Sequence, residues 1–138
     1  MEGRMINILV MSHGEFAEGI CKSAEMIIGK QENLKSVVFN EGESLETLSD
    51  KLEKAIKDFN NNFPHLIFVD ILGGTPSNVT ALLLAKDYKI NAVSGVNLPM
   101  LLEALTERED TAPDILIKQL RKVGNESIID IVEMFNAE

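Results

Sequence analysis

The chain alternates two kinds of apolar pattern, and that alternation leaves few folds open. Met5 to Met11 is a continuous apolar run broken only by Asn7, as a central strand buried on both faces requires. Phe16, Ile20, Ala24, Ile27 and Ile28 then recur at helical spacing, and Gly29 offers a stop. Leu34 to Phe39 reads as a second strand. Ser44 is placed to cap a long helix whose apolar face is Leu45, Leu48, Leu52, Ile56, Phe59 and Phe63, ended by Asn60-Asn61-Asn62 and Pro64. Leu66 to Asp70 is a third strand, Gly73-Gly74-Thr75-Pro76 leads into a helix through Leu82, Leu83 and Ala85, and Ile90 to Val93 is a fourth strand. Leu98 to Glu107 is the next helix, with Pro99 in its first turn. Strands alternating with helices demand right-handed crossovers. The fold predicted is α/β: doubly wound, a mostly parallel sheet with helices on both faces.

Beyond the acidic loop Glu107 to Asp110, Ile115 to Val123 reads as a helix ending at Gly124-Asn125. Ser127 to Phe135 is too short an apolar run for periodicity to separate helix from strand. With 138 residues and no linker or repeat, residues 1–138 make one domain. Met1 to Arg4, preceding a second methionine, read as a tag or short extension without a role.

Charge and cysteine usage narrow the function classes. The net charge of -9, from 22 acidic and 13 basic residues, argues against nucleic acid or an anionic membrane as partner. It suits a basic protein partner, and equally a surface that is merely soluble. Cys21 is the only cysteine, which rules out an internal disulfide and a cysteine-based zinc site. No apolar run approaches the ~18 residues of a membrane span. The N-terminus lacks a signal-peptide pattern, so the cytoplasm is the simplest location.

Ligands of open α/β sheets bind outside the carboxyl ends of the strands. Three loops leave those ends rich in small or polar residues: Ser12-His13-Gly14, Asp70 to Asn78, and Ser94 to Pro99. His13 is the sharpest candidate, since imidazole can serve as nucleophile, base or metal ligand near neutral pH. Attack needs one unprotonated ring nitrogen, with the tautomer fixed by a partner at the other. Asp70 closes the third strand as His13 follows the first. Adjacent strands lie ~5 Å apart, within side-chain reach. By spacing alone, a His13–Asp70 pair and a turn histidine beside a solvated or capping carboxylate remain equally open.

Gly73 and Gly74 would let backbone N–H groups approach a ligand, with Thr75 as N-cap and Pro76 at the first helical position. The positive ends of this helix and of the one after Gly14 would face an anion above His13. Neither loop carries Lys or Arg, so a phosphate there would be held by amides and hydroxyls. A plain loop-to-helix connection fits the same residues, and the run matches neither the P-loop nor the dinucleotide fingerprint. Other constellations fail. His65 precedes the third strand, about 15 Å from Asp70 at ~3.3 Å per residue, which argues against a two-histidine metal site. Ser12-His13 lacks the Gly-x-Ser-x-Gly context of a hydrolase elbow. The scattered methionines suit core filling.

With these loops in view, the chain resembles the IIA domain of the mannose-type branch (mannose, fructose, sorbose, N-acetylgalactosamine) of the bacterial phosphoenolpyruvate:sugar phosphotransferase system. The matching residues are Ser12-His13-Gly14, Ala24-Glu25-Met26, DILGGTPSN from Asp70 to Asn78, and SGVNLPMLLE from Ser94 to Glu103. The resemblance implies that His13 takes phosphate from the phosphocarrier protein HPr and passes it to a IIB domain. Sugar uptake through the IIC and IID membrane subunits then follows, and no cofactor or metal is expected. It further implies that Asp70 orients and stabilises His13, while Ser12, Gly14, Gly73, Gly74 and Thr75 surround the phosphoryl group. Leu72, Ser77, Asn78 and Asn97 would form the rim that partners touch. Some members carry an aromatic residue where this chain has Leu72. Members are homodimers that exchange an antiparallel edge strand, a role open to residues 127–135. The phosphotransfer subunit of dihydroxyacetone kinase shares the fold and the early histidine and stands as the alternative.

Overall fold

A computed structural model describes residues 4–137, so residues 1–3 of the expected extension lie outside the described residues. Four parallel strands, β1 (Asn7–His13), β2 (Leu34–Phe39), β3 (His65–Val69) and β4 (Ile90–Ser94), form one sheet in the order β2-β1-β3-β4. The helices are α1 (Phe16–Ile28), α2 (Leu45–Phe59), α3 (Thr75–Ala85), α4 (Leu98–Glu107), α5 (Pro113–Glu126) and α6 (Ile131–Asn136).

The period-two alternation of β1 explains the two layers. Ile8 and Val10 join Leu66 and Phe68 beneath α1, α4 and α5, through Ala17, Ile20, Ala24, Leu101, Ala104, Leu116 and Leu120. Leu9 and Met11 join Ile67 and Val69 on the other face, beneath Leu48, Leu52 and Ile56 of α2 and Val79 and Leu83 of α3. Both faces of β1 are therefore dry, as its apolar run requires.

Asn7, the one interruption, is completely buried and fully engaged. Its Oδ1 accepts from Asn33 Nδ2 at 2.7 Å and Asn61 Nδ2 at 3.1 Å, while its Nδ2 donates to Asn61 Oδ1 at 2.7 Å and His65 Nδ1 at 3.2 Å. These bonds tie the loops before β2 and β3 to the start of β1 at the amino end of the sheet. Arg108 does similar work there with 2 % of its surface exposed, donating to the carbonyls of Ile6, Glu32 and Asn33 and to Gln31 Oε1. Nothing in the sequence singled Arg108 out.

Several boundaries differ from those read in the sequence. β1 begins at Asn7 and carries through His13, because Ser12 and His13 still pair with Val38 and Phe39. Helix α5 does not stop at Gly124-Asn125 but runs to Glu126. Gly124 is buried in the helix against Met100, and a Cβ there would stand 2.7 Å from the Met100 methyl. Its glycine serves close helix packing rather than termination. Thr75 is the first residue of α3 rather than its cap; Gly74 holds the cap position and no side chain caps that end. Residues 131–136 are a short helix in the single chain, capped by Asp130, and not an edge strand.

Candidate functional site

Strand order reverses between β1 and β3, since the chain leaves β1 for β2 on one side and returns for β3 on the other. Such a switch point opens a crevice at the carboxyl ends of the strands. His13 ends β1 at that crevice and Asp70 follows the last residue of β3. The structure brings them into contact: Asp70 Oδ2 accepts the His13 Nδ1–H at 2.8 Å and the His13 backbone N–H at 3.0 Å. Asp70 Oδ1 accepts the N–H of Ile71 at 3.0 Å.

Partial burial works to raise the Asp70 pKa, but the hydrogen bonds from His13 and Ile71 outweigh it, and its carboxyl lies below the usual range. A carboxylate on Nδ1 places the proton there and leaves Nε2 with its lone pair. The His13 side chain is 46 % exposed, against 16 % for Asp70. The arrangement is a partly buried orienting acid behind an accessible imidazole, a geometry suited to accepting an electrophile at Nε2.

Phe39, which the sequence did not mark, completes the wall. It lies beside His13 across the β1–β2 pairing, with ring centroids 6.0 Å apart and planes at 78°. Its carbonyl accepts the Gly14 N–H at 2.8 Å. The signal was register: once β2 sits beside β1, its last apolar residue falls level with the histidine.

The other expected site residues divide. Gly73, Gly74 and Thr75 form the approach to α3, and Thr75 and Ser77 in its first turn have no carbonyl of the preceding loop bonded to their N–H groups among the described residues. Leu72 is 80 % exposed on the rim, with Ile71 and Phe16 beside the same loops also exposed, and Asn78 faces solvent. Ser12 is completely buried, its Oγ accepting the Ala17 N–H at 2.7 Å, so it stabilises the β1–α1 turn instead of lining the surface. The Gly14 N–H is likewise committed, and the residue's φ of +55° accounts for the glycine. Asn97 caps α4 by accepting the Met100 N–H at 3.0 Å and donates to the Gly124 carbonyl at 3.1 Å. Its side chain is engaged inside the molecule rather than offered at the rim. His65 opens β3 at the other end of the sheet, opposite Asn7, far from His13.

Comparisons with known proteins agree with this geometry. Residues 7–121 match the EIIA-man family model, described as the fructose IIA component of the phosphotransferase system. The fructose-specific EIIA component of Bacillus subtilis is 39 % identical over 123 residues, covering 89 % of this chain and 84 % of that protein. The mannose-specific EIIAB component of Escherichia coli K12 is 34 % identical over 124 residues; the match covers 89 % of this chain and 38 % of that longer protein. The crystal structure of a phosphotransferase system EIIA component from Streptococcus agalactiae superposes with a TM-score of 0.84 at 36 % identity, covering 94 % of this chain and 99 % of that one. These matches fall on the sugar-transport branch and not on the dihydroxyacetone-kinase alternative. The chain belongs to the mannose-type IIA family of the sugar phosphotransferase system, the phosphotransferase components that carry phosphoryl groups in sugar uptake.

Proposed function

We propose that Nε2 of His13 is the phosphoryl acceptor of this carrier, loaded by HPr and unloaded to a IIB domain that serves the IIC and IID membrane subunits. The observation that carries the proposal is the 2.8 Å bond between Nδ1 and the Asp70 carboxylate, behind an imidazole open to solvent. In the step, the Nε2 lone pair attacks phosphorus as the bond from phosphorus to the donor breaks, its electron pair leaving with the donor. The ring keeps its Nδ1 proton and becomes cationic, and Asp70 stabilises that charge. Gly73, Gly74 and the start of α3 lie where the phosphoryl oxygens would be received, with the helix end favouring their charge. Transfer then depends on positioning and electrostatics more than on covalent work by the protein. The exposed Ile71, Leu72 and Phe16 supply an apolar rim for the two protein partners. Both exchanges take place in the cytoplasm.

The same reading includes a homodimer. No strand pairs the outer edge of β4 among the described residues. Ile128, Ile129, Ile131, Val132, Met134 and Phe135 are each between 55 % and 80 % exposed. A free strand edge and an apolar tail on one chain are each unfavourable, and exchange of the tail between two copies buries both.

The test is incubation with phosphoenolpyruvate, enzyme I and HPr, followed by intact mass at neutral pH. One added phosphoryl group that is labile in acid, and absent from a folded His13→Ala variant, is the expected result. An unchanged mass, or labelling that persists in His13→Ala, contradicts the assignment.

A further inference from the structure

The two glycines before α3 stand in opposite circumstances. Gly73 has a φ of +91° and nothing within 4 Å of where a Cβ would stand. Its requirement is conformational, since L side chains rarely adopt that backbone. Gly74 has φ -90° and ψ 177°, an extended conformation that any residue adopts. Yet a Cβ there would lie 2.7 Å from Cε1 and 3.2 Å from Nε2 of His13, and 3.6 Å from Cγ1 of Ile71. The backbone does not need this glycine; the imidazole does.

We propose that the missing side chain at position 74 is what allows the His13 ring to lie against the start of α3 with Nδ1 on Asp70, making Gly74 a positioning residue for the acceptor nitrogen. The ring is open to solvent on one side but held by its contacts on the others. Its Nδ1 and its own backbone N–H are both bonded to Asp70 Oδ2. Phe39 stands edge-on at 6.0 Å. Carbon atoms settle at about 3.5–4.0 Å from one another, so a methyl at 74 forces Cε1 back by the better part of an ångström. That retreat lengthens the bond to Asp70 or rotates Nε2 away from its present direction. Misplacement on this scale costs a reaction that relies on alignment about a hundredfold.

The rate consequence rests on His13 being the phosphoryl acceptor; the positional consequence does not. The experiment therefore measures three properties of Gly74→Ala and Gly73→Ala beside the parent chain: the melting temperature, the imidazole signals in long-range 1H–15N spectra, and the initial rate of labelling by phosphorylated HPr. Gly74→Ala is expected to displace the His13 nitrogen signals and slow labelling at least tenfold. Gly73→Ala is expected to melt lower while its His13 signals keep the parent positions. If Gly74→Ala is too unstable to study, the double variant His13→Ala/Gly74→Ala regains the loss, because the atom it collides with is gone. Parent-like imidazole signals in Gly74→Ala, or a loss of stability that persists without the His13 ring, overturns the proposal. A parent chain that takes no phosphate defeats the acceptor reading instead, and the imidazole signals still decide the role of Gly74.

Discussion

One oxygen of Asp70 holds His13 twice, accepting its backbone N–H at 3.0 Å and its ring Nδ1–H at 2.8 Å. The first bond fixes where the end of β1 lies relative to the loop after β3. The second fixes the ring's direction and tautomer. Because both run to one atom, the scaffold and the imidazole are set by the same contact.

Loss of the Asp70 carboxylate is therefore expected to reduce phosphoryl transfer without unfolding the chain. A charge-assisted hydrogen bond contributes about 1.5–3 kcal/mol, so Asp70→Ala should slow labelling roughly ten- to a hundredfold. Asp70→Asn keeps an acceptor but loses the charge and should fall between. Initial rates of labelling, with circular dichroism as the control for folding, measure both.

Acid sensitivity should begin at His65, at the amino end of the sheet. Burial lowers the His65 pKa from its ordinary 6.5. Its neutral form is favoured by folding, so that stability is complete above about pH 6.5 and diminishes as pH falls from there towards the lowered folded value. Protonation also sets a second donor against the Asn7 amide at 3.2 Å. The Asp70 contribution follows the same sign but is lost only at lower pH, as the pH falls through its lowered carboxylate pKa. Thermal melts from pH 7.5 to 5 should show a decline that His65→Gln largely removes.

Asn97 should matter to stability and not to labelling. It caps α4 and anchors the Gly124 carbonyl of α5. Asn97→Ala is expected to cost about 1–2 kcal/mol in urea unfolding, as the loss of a cap and one further bond does. Its initial labelling rate should match that of the parent.

The Cys21 thiol should be inert in the native chain. Burial, with Glu25 adding to it, pushes its pKa up to about 12, and only 8 % of the residue is exposed. Thiol-specific reagents at pH 8 should modify it only after denaturant is added.

The tail gives a prediction of its own. No residue beyond Glu126 is buried among the described residues, and both core clusters end before it. Truncation after Glu126 should leave a folded monomer, whereas the full chain is expected to sediment as a dimer.

How much of this was legible in the sequence depended on what kind of information each element carries. Leu34–Phe39 and Leu98–Glu107 match their readings end to end, and Phe16–Ile28 ends at the expected Gly29, because burial period and end signals are written locally. The Ser44 cap is likewise local and is formed with the Thr47 N–H. The His13–Asp70 pair was only an open option until strand order made β1 and β3 neighbours. Ser12 and Asn97 were misplaced because a polar residue near a rim looks the same whether its hydrogen bonds run outward or inward. Arg108 escaped because its partners are backbone carbonyls from distant loops, which no spacing reveals.

The most direct test of the central claim asks which nitrogen carries the phosphate. Chain labelled with 15N, phosphorylated through HPr, should show phosphorus coupled to Nε2 of His13, with the proton retained on Nδ1. Phosphorus on Nδ1, or on any residue other than His13, contradicts the claim that the Asp70 contact reserves Nε2 of His13 for the phosphoryl group.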